Sequence, residues 1–305
     1  MSMTMASFTR ILVRLKTAKS AEPKIADFSE CVLSHFGFTN DYGQLYADLR
    51  ENFLTLCDTA RSEEDIKIPI KHPAFCPVLH QTANTASLLQ DEIKNCGVDV
   101  GAAIILESSD GKVLLTRRAP HLRIFPGLWV PPGGHVEENE SLAEAGIREL
   151  QEETGIDLKI MDCKNKKFEI LGLWESVFPP MLALGPPQRH HIVVYFHAQL
   201  KDGMTANEME KQISFNPLEV DACVWVDKEM ISAIVQSYED DSIKSFIHLP
   251  QFVRALTLDE NQKQCTTDLP TAPLFNVLSS ELNDTERVST GTKFALQQYL
   301  KKFGN

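Results

Sequence analysis

The sequence predicts an α/β (α+β) chain. Its central segment is dense in strand and turn signals, and one well-capped helix is inserted among those strands. The composition, 43% hydrophobic and 24% charged, suits a globular fold and excludes bulk disorder. At 305 residues the chain has room for one large domain or two modest ones. Composition along the chain divides it into an N-terminal region (1–95), a central domain (96–240) and a C-terminal extension (241–305).

The N-terminal region opens on a basic stretch, Met1 to Ala21, with Arg10, Arg14, Lys16 and Lys19 and no acid. A mitochondrial presequence has that composition. The partial alternation of Thr9 to Leu15 favours a strand instead, and with it a cytoplasmic address. Helical patches such as Tyr46 to Cys57 follow. The loop His72-Pro73-Ala74-Phe75-Cys76-Pro77 comes next and carries no recognisable chemistry. Seven widely spaced cysteines with no C-x-x-C pair read as reduced thiols, without a disulfide framework or a zinc ribbon.

In the central domain, Val100 to Leu106 reads as a buried strand. Ser109-Asp110-Gly111-Lys112 turns it into Val113 to Thr116, a hairpin. Phe168 to Glu175 and His191 to Leu200 are further strands, and Ala222 to Val226 is a last short one. In His191 to Leu200 the residues Ile192, Val194, Phe196, Ala198 and Leu200 share one face. The extension is poor in apolar residues until a helical segment, Thr292 to Phe303. No run of about 18 apolar residues is present, so no membrane-spanning helix is expected. The net charge of −12 argues against a broad grip on nucleic acid, DNA included.

The inserted helix carries the strongest chemical signal. Ser141 and Glu144 form a capping box at its start, and Gly155 suits the left-handed position after its end. Glu149, Glu152 and Glu153 fall within one arc of about 100°. Like charges at this spacing repel, and they sit at the negative end of the helix dipole. A hard divalent cation offsets both costs, because magnesium takes oxygen ligands from a few carboxylates and from substrate phosphates. The loop Pro132-Gly133-Gly134 ahead of the helix lets backbone approach a ligand closely.

The stretch GHVEENESLAEAGIRELQEETGI, Gly134 to Ile156, matches the Nudix box GX5EX7REUXEEXGU at every specified position. The chain thus resembles the Nudix hydrolases. The resemblance implies a Nudix fold, a mixed β-sheet sandwiched between helices, here with N- and C-terminal extensions. It implies hydrolysis of a diphosphate bridge linked to a nucleoside, with Mg2+ or Mn2+ as cofactor. Glu149, Glu152 and Glu153 take the metal-ligand positions, and Gly133 that of a carbonyl ligand. Gly134, Glu140, Arg148 and Gly155 are structural positions of the box, Glu140 and Arg148 as a pair. The general base falls to Glu153 or to Glu219, an acid just before the last strand, as in many members of the family.

Substrate choice is read from the flanks. Leu114 to Gly127 follows the LLTxR[SA]x3Rx3G signature of coenzyme A-cleaving members, with Pro131 replacing the aromatic residue of its continuation. Arg118 and Arg123 are then candidates to clamp phosphates bidentately, whereas Arg117 reads as a solvated basic residue. Trp129, Phe125, Trp174 and Phe178 are candidate base-stacking platforms, of which at least two should be core. Of the adjacent His190 and His191, one could meet phosphate, although a strand-edge cap is the preferred reading. The strings Trp129 to Glu137, Leu171 to Ser176 and Arg287 to Leu296 resemble decapping members. The expected substrate is therefore 7-methylguanosine-capped RNA, ahead of coenzyme A or acyl-CoA. The zinc module and SQPWPFP string of NADH-type members are missing, which disfavours NADH. A catalytically silent nucleotide-binding module is the competing class, disfavoured because the box keeps all its carboxylates. One sequence leaves the oligomeric state open.

Overall fold

A computed structural model of the chain describes residues 10–20, 22–50, 52–81, 93, 95–239, 249–276 and 286–304. Contacts divide the chain into two compact units, each assembled from non-consecutive segments, where composition alone had drawn three consecutive ones. The first takes Met1–Ala102, Gly134–Ala145 and Leu173–Val194; the second takes Ala103–Gly133, Gly146–Gly172 and Tyr195–Asn305.

The first unit is a mixed sheet. Strand β1 (Leu12–Lys16) pairs antiparallel with β2 (Lys24–Ile25) and parallel with β4 (Phe53–Cys57). The basic N-terminal stretch therefore contributes a strand, with Val13 and Leu15 buried on one face. Strand β3 (Tyr42–Arg50) pairs antiparallel with β4 and with β5 (Ile68–Lys71). Tyr46 to Cys57, expected to be helical, is thus most of a hairpin. Arg50 lies opposite Phe53, and Asn52 makes the turn at φ 61°, which its short polar side chain tolerates. Pairing on both sides, with β1 and β5, overrides the local helical preference. A single helical turn, α1 (Val32–His35), follows Cys31.

The remaining elements belong wholly or in part to the second unit. Strand β6 spans Asp99–Glu107, and its far end pairs with β7 (Val113–Arg118) at Glu107 and Val113 across the expected turn. β7 pairs antiparallel with β12 (Val220–Val226) and with β8 (Leu128–Val130). β9 (Gly133–His135) leads into α2 (Leu142–Thr154), which is followed by β10 (Glu169–Phe178), β11 (Arg189–Gln199) and the short α3 (Ala206–Glu210). After β12 comes α4 (Lys228–Glu239) and then a hairpin, β13 (Phe252–Leu258) and β14 (Gln264–Pro270), which continues the sheet beside β12. That hairpin was not foreseen. Its alternation is broken by Arg254, Thr266 and Thr267, and most of its residues are exposed or half-buried. β15 (Arg287–Val288) pairs parallel with β8, and α5 (Thr290–Phe303) ends the chain.

Both faces of this sheet are covered. Ile104, Leu114, Ala198, Cys223 and Trp225 pack with Leu150 and Ile156 from α2 and its C-terminus. Gly146 permits the close approach, since a Cβ there would stand 2.8 Å from Ile104 Cγ1. Strand alternation turns His197 away from Ala198, toward the rings of Tyr299 and Phe303 on α5, at 5.3 and 4.1 Å.

Candidate active site

Helix α2 starts as its sequence dictates. Glu144 N donates to Ser141 Oγ at 3.2 Å, and Ser141 N to Glu144 Oε2 at 2.7 Å. It ends at Gly155, φ 74°, whose N–H donates to Gln151 O. The last turn is then held from outside: Ser214 N donates to Thr154 O and Asn216 N to Glu153 O. The same loop places Glu219. Its N–H donates to Asn216 O, and its carbonyl accepts from Ala119 N at the end of β7.

This brings Glu149, Glu152, Glu153 and Glu219 into one electrostatic cluster with Arg118. Glu153 is buried, 5% exposed. Burial first, then the charges of Glu149 and Glu219, push its carboxyl up to about 8, against Arg118 and a backbone N–H bond from Gly133, which both favour the charged form. Glu149 is raised as well, by burial, with Glu152 and Glu219 adding to it. Thr116 Oγ1 lies 3.2 Å from Val130 O and 3.4 Å from Glu153 Oε2. Its single proton serves one of them, so a protonated Glu153 satisfies both contacts. Arg148 Nη1 bridges Glu149 Oε1 at 2.9 Å and Glu152 Oε2 at 3.1 Å. Glu152 is exposed, and Glu140 accepts from Glu137 N.

The donor set fits a hard divalent cation. Two carboxyls held above their ordinary range by burial and by neighbouring carboxylates are relieved by a cation among them. Gly133 lies against Glu153 through its N–H, so backbone does approach this point.

Other expected residues stand differently. Arg118 donates from Nε to Phe125 O at 3.1 Å and from Nη2 to Ile124 O at 3.1 Å. Its fork is spent on loop carbonyls, so the expected bidentate phosphate clamp does not use that edge. Arg123 is exposed. Trp129 is corrected from a stacking platform to a core residue. It is 2% exposed, and its Nε1 donates to Glu286 Oε1 at 2.8 Å. Trp174 is buried too, whereas Phe125 and Phe178 are half-buried. Arg117 is not solvated. It makes a bidentate pair with Asp221, at 2.8 and 3.0 Å, and reaches Glu286 at 3.1 Å. His190, expected as a strand-edge cap, is fully buried against Glu175 and Phe28 O. Thr116, Asp221 and Glu286 were missed. The last two are polar residues whose partners lie more than a hundred positions away, so no local pattern marks them.

The NUDIX domain family matches residues 98–247. Over 300 residues the chain is 40% identical to the Danio rerio protein named m7GpppN-mRNA hydrolase NUDT17, covering 97% of each. It is 39% identical over 297 residues to the Xenopus laevis protein of that name, covering 97% of this chain and 96% of the relative. Among solved structures, a MutT Nudix hydrolase from Burkholderia pseudomallei is 21% identical with a TM-score of 0.34, over 65% of this chain and 95% of that one.

Proposed function

Because the chain belongs to the Nudix hydrolase family, we propose that it hydrolyses the diphosphate bridge of a nucleoside diphosphate-linked substrate, with 7-methylguanosine-capped RNA preferred. The carrying observation is the acidic cluster of Glu149, Glu152, Glu153 and Glu219 at the end of α2, with Glu153 buried and raised to about 8. Glu149, Glu152 and Glu153 would hold Mg2+ or Mn2+, aided by the Gly133 carbonyl. Such a cation supplies charge neutralisation on the phosphoryl oxygens and a lowered pKa for water.

The chain's own residues do the rest. A carboxylate, Glu219 or Glu153, accepts the proton of a water that attacks phosphorus in line. The bridging P–O bond breaks, and the leaving phosphate carries its electron pair away. Arg118, held by the carbonyls of Ile124 and Phe125, fixes the loop after β7 and adds positive charge beside the carboxylates. The exposed Arg123 is the guanidinium available to substrate phosphate among the described residues of this loop. With a net charge of −12, RNA is held by its capped end and not along its length.

The cap reading rests on near-full-length likeness to two proteins named m7GpppN-mRNA hydrolase. Purified full-length protein, incubated with capped RNA or coenzyme A plus magnesium or manganese, tests it. Release of 7-methyl-GDP, abolished by Glu152→Gln, is expected. Release of 3′,5′-ADP from coenzyme A without 7-methyl-GDP would reverse the substrate order. Tight nucleotide binding without turnover of either would leave the silent module.

A further inference from the structure

Three residues with no part in the acidic cluster meet inside the first unit. Cys31 immediately precedes α1, His72 immediately follows β5, and Cys76 lies four residues further on. They are 2%, 5% and 1% exposed. One ligand atom from each lies within 4.8 Å of the other two. Among the described residues this is the one group of three His, Cys, Asp or Glu side chains packed so closely.

The donor chemistry is specific. Two thiols and an imidazole are the ligands zinc prefers, and in a tetrahedral site with bonds of about 2.0–2.3 Å the donor atoms stand about 3.5–3.8 Å apart. Spacings within 4.8 Å need only a small inward shift. The His72-x3-Cys76 spacing matches the short local ligand pairs of structural zinc sites. His72 Nδ1 lies 2.6 Å from Pro73 O, an acceptor only, so Nδ1 carries the proton and Nε2 keeps the lone pair. A backbone carbonyl orienting a ligating histidine is the usual outer partner of such a site.

A fourth group stands beside them. Glu175 Oε2 is 3.4 Å from Cys31 Sγ, and the carboxylate is fully buried. It is oriented by Val32 N at 2.7 Å and by His190 Nε2 at 3.0 Å, while His190 Nδ1 faces Phe28 O at 2.8 Å. Burial alone would raise Glu175, but the His190 bond and charge hold it low. Without a cation the Cys31 thiol is pushed up by its hydrogen bond with Cys76 and by burial.

We propose that Cys31, His72 and Cys76 bind a structural zinc ion, with the buried Glu175 carboxylate as the charged neighbour of Cys31. On binding, the two thiols release their protons and their two negative charges balance the zinc. The ion would tie α1 to the loop after β5 within the first unit. It stands apart from the hydrolytic reading, which needs no zinc.

The metal content of purified full-length protein, reduced and dialysed against metal-free buffer, tests this. One zinc per chain is expected. Cys76→Ser and His72→Ala should lose it, whereas Cys96→Ser, Cys265→Ser and Glu153→Gln should keep it. Cobalt substituted for zinc should give a thiolate charge-transfer band and tetrahedral visible bands, also in Glu153→Gln, which separates this ion from one at the acidic cluster. Wild-type protein without zinc and without a cobalt–thiolate band, or peptide mapping that finds Cys31 bonded to Cys76, would overturn the proposal whatever the variants do.

Discussion

Glu107→Gln probes how the C-terminal helix is held on the hydrolase core. Glu107 ends β6 with its side chain 5% exposed, and its Oε2 accepts from His197 Nε2 at 2.7 Å. His197 in turn lies against Tyr299 and Phe303 of α5, so this hydrogen-bonded pair of the sheet carries the contact to the helix. Lys228 fixes the end of α5 by donating to Phe303 O at 2.9 Å. Burial alone would raise the Glu107 carboxyl, but the hydrogen bond and charge of His197, with Lys228 nearby, hold it below its ordinary 4.5. A hydrogen bond to a charged partner contributes about 1.5–3 kcal/mol and a neutral one about 0.5–1.5. The isosteric amide should therefore cost about 1–2 kcal/mol, and Glu107→Ala, which leaves His197 buried without an acceptor, about 3–5.

The pH dependence follows from the direction of the shift. A carboxyl lowered on folding binds fewer protons folded than unfolded, so its contribution is complete above 4.5 and is lost as pH falls through its folded value. Urea midpoints of wild type and Glu107→Gln, measured at about pH 7 and again at about pH 4, read this directly. The gap should be largest at neutral pH and narrow in acid. A variant as stable as wild type at neutral pH, or a gap unchanged by acid, would refute the reasoning.

Glu153→Gln should lower the rate of diphosphate hydrolysis by about two orders of magnitude, roughly 3 kcal/mol in the barrier, with the fold retained by circular dichroism. Trp129→Phe, which removes the donor to Glu286, should lower the unfolding free energy by about 1–3 kcal/mol without raising KM for capped RNA; a raised KM would restore the stacking role. Gly155→Ala places a Cβ 3.1 Å from Ser214 O at φ 74°, and should destabilise by about 1–2 kcal/mol, visible as a lower melting temperature. Excess chelator should abolish hydrolysis, and readdition of magnesium or manganese should restore it.

Local signals in the chain were enough for α2 and for much of the candidate site. A capping box, a glycine after the last turn and three carboxylates at helical spacing are all written within a few turns of chain, because helix geometry is itself local. The hairpin from β6 to β7 was legible for the same reason: Gly111 supplies the positive φ its turn requires. Glu219 was reached only through the family resemblance, since no local pattern marks it. The sequence alone did not give Tyr46 to Cys57 as strands, since their hydrogen bonds lie partly in β1 and β5. Nor did it give the burial of Trp129 or the pairing of Arg117, whose partners Asp221 and Glu286 come from distant strands and loops. Cys31, with no pair in its neighbourhood, meets His72 and Cys76 only once β3, β4 and β5 have folded between them. Turns and helix ends are fixed by neighbours in the chain, whereas burial and the meeting of distant side chains depend on which strands pair.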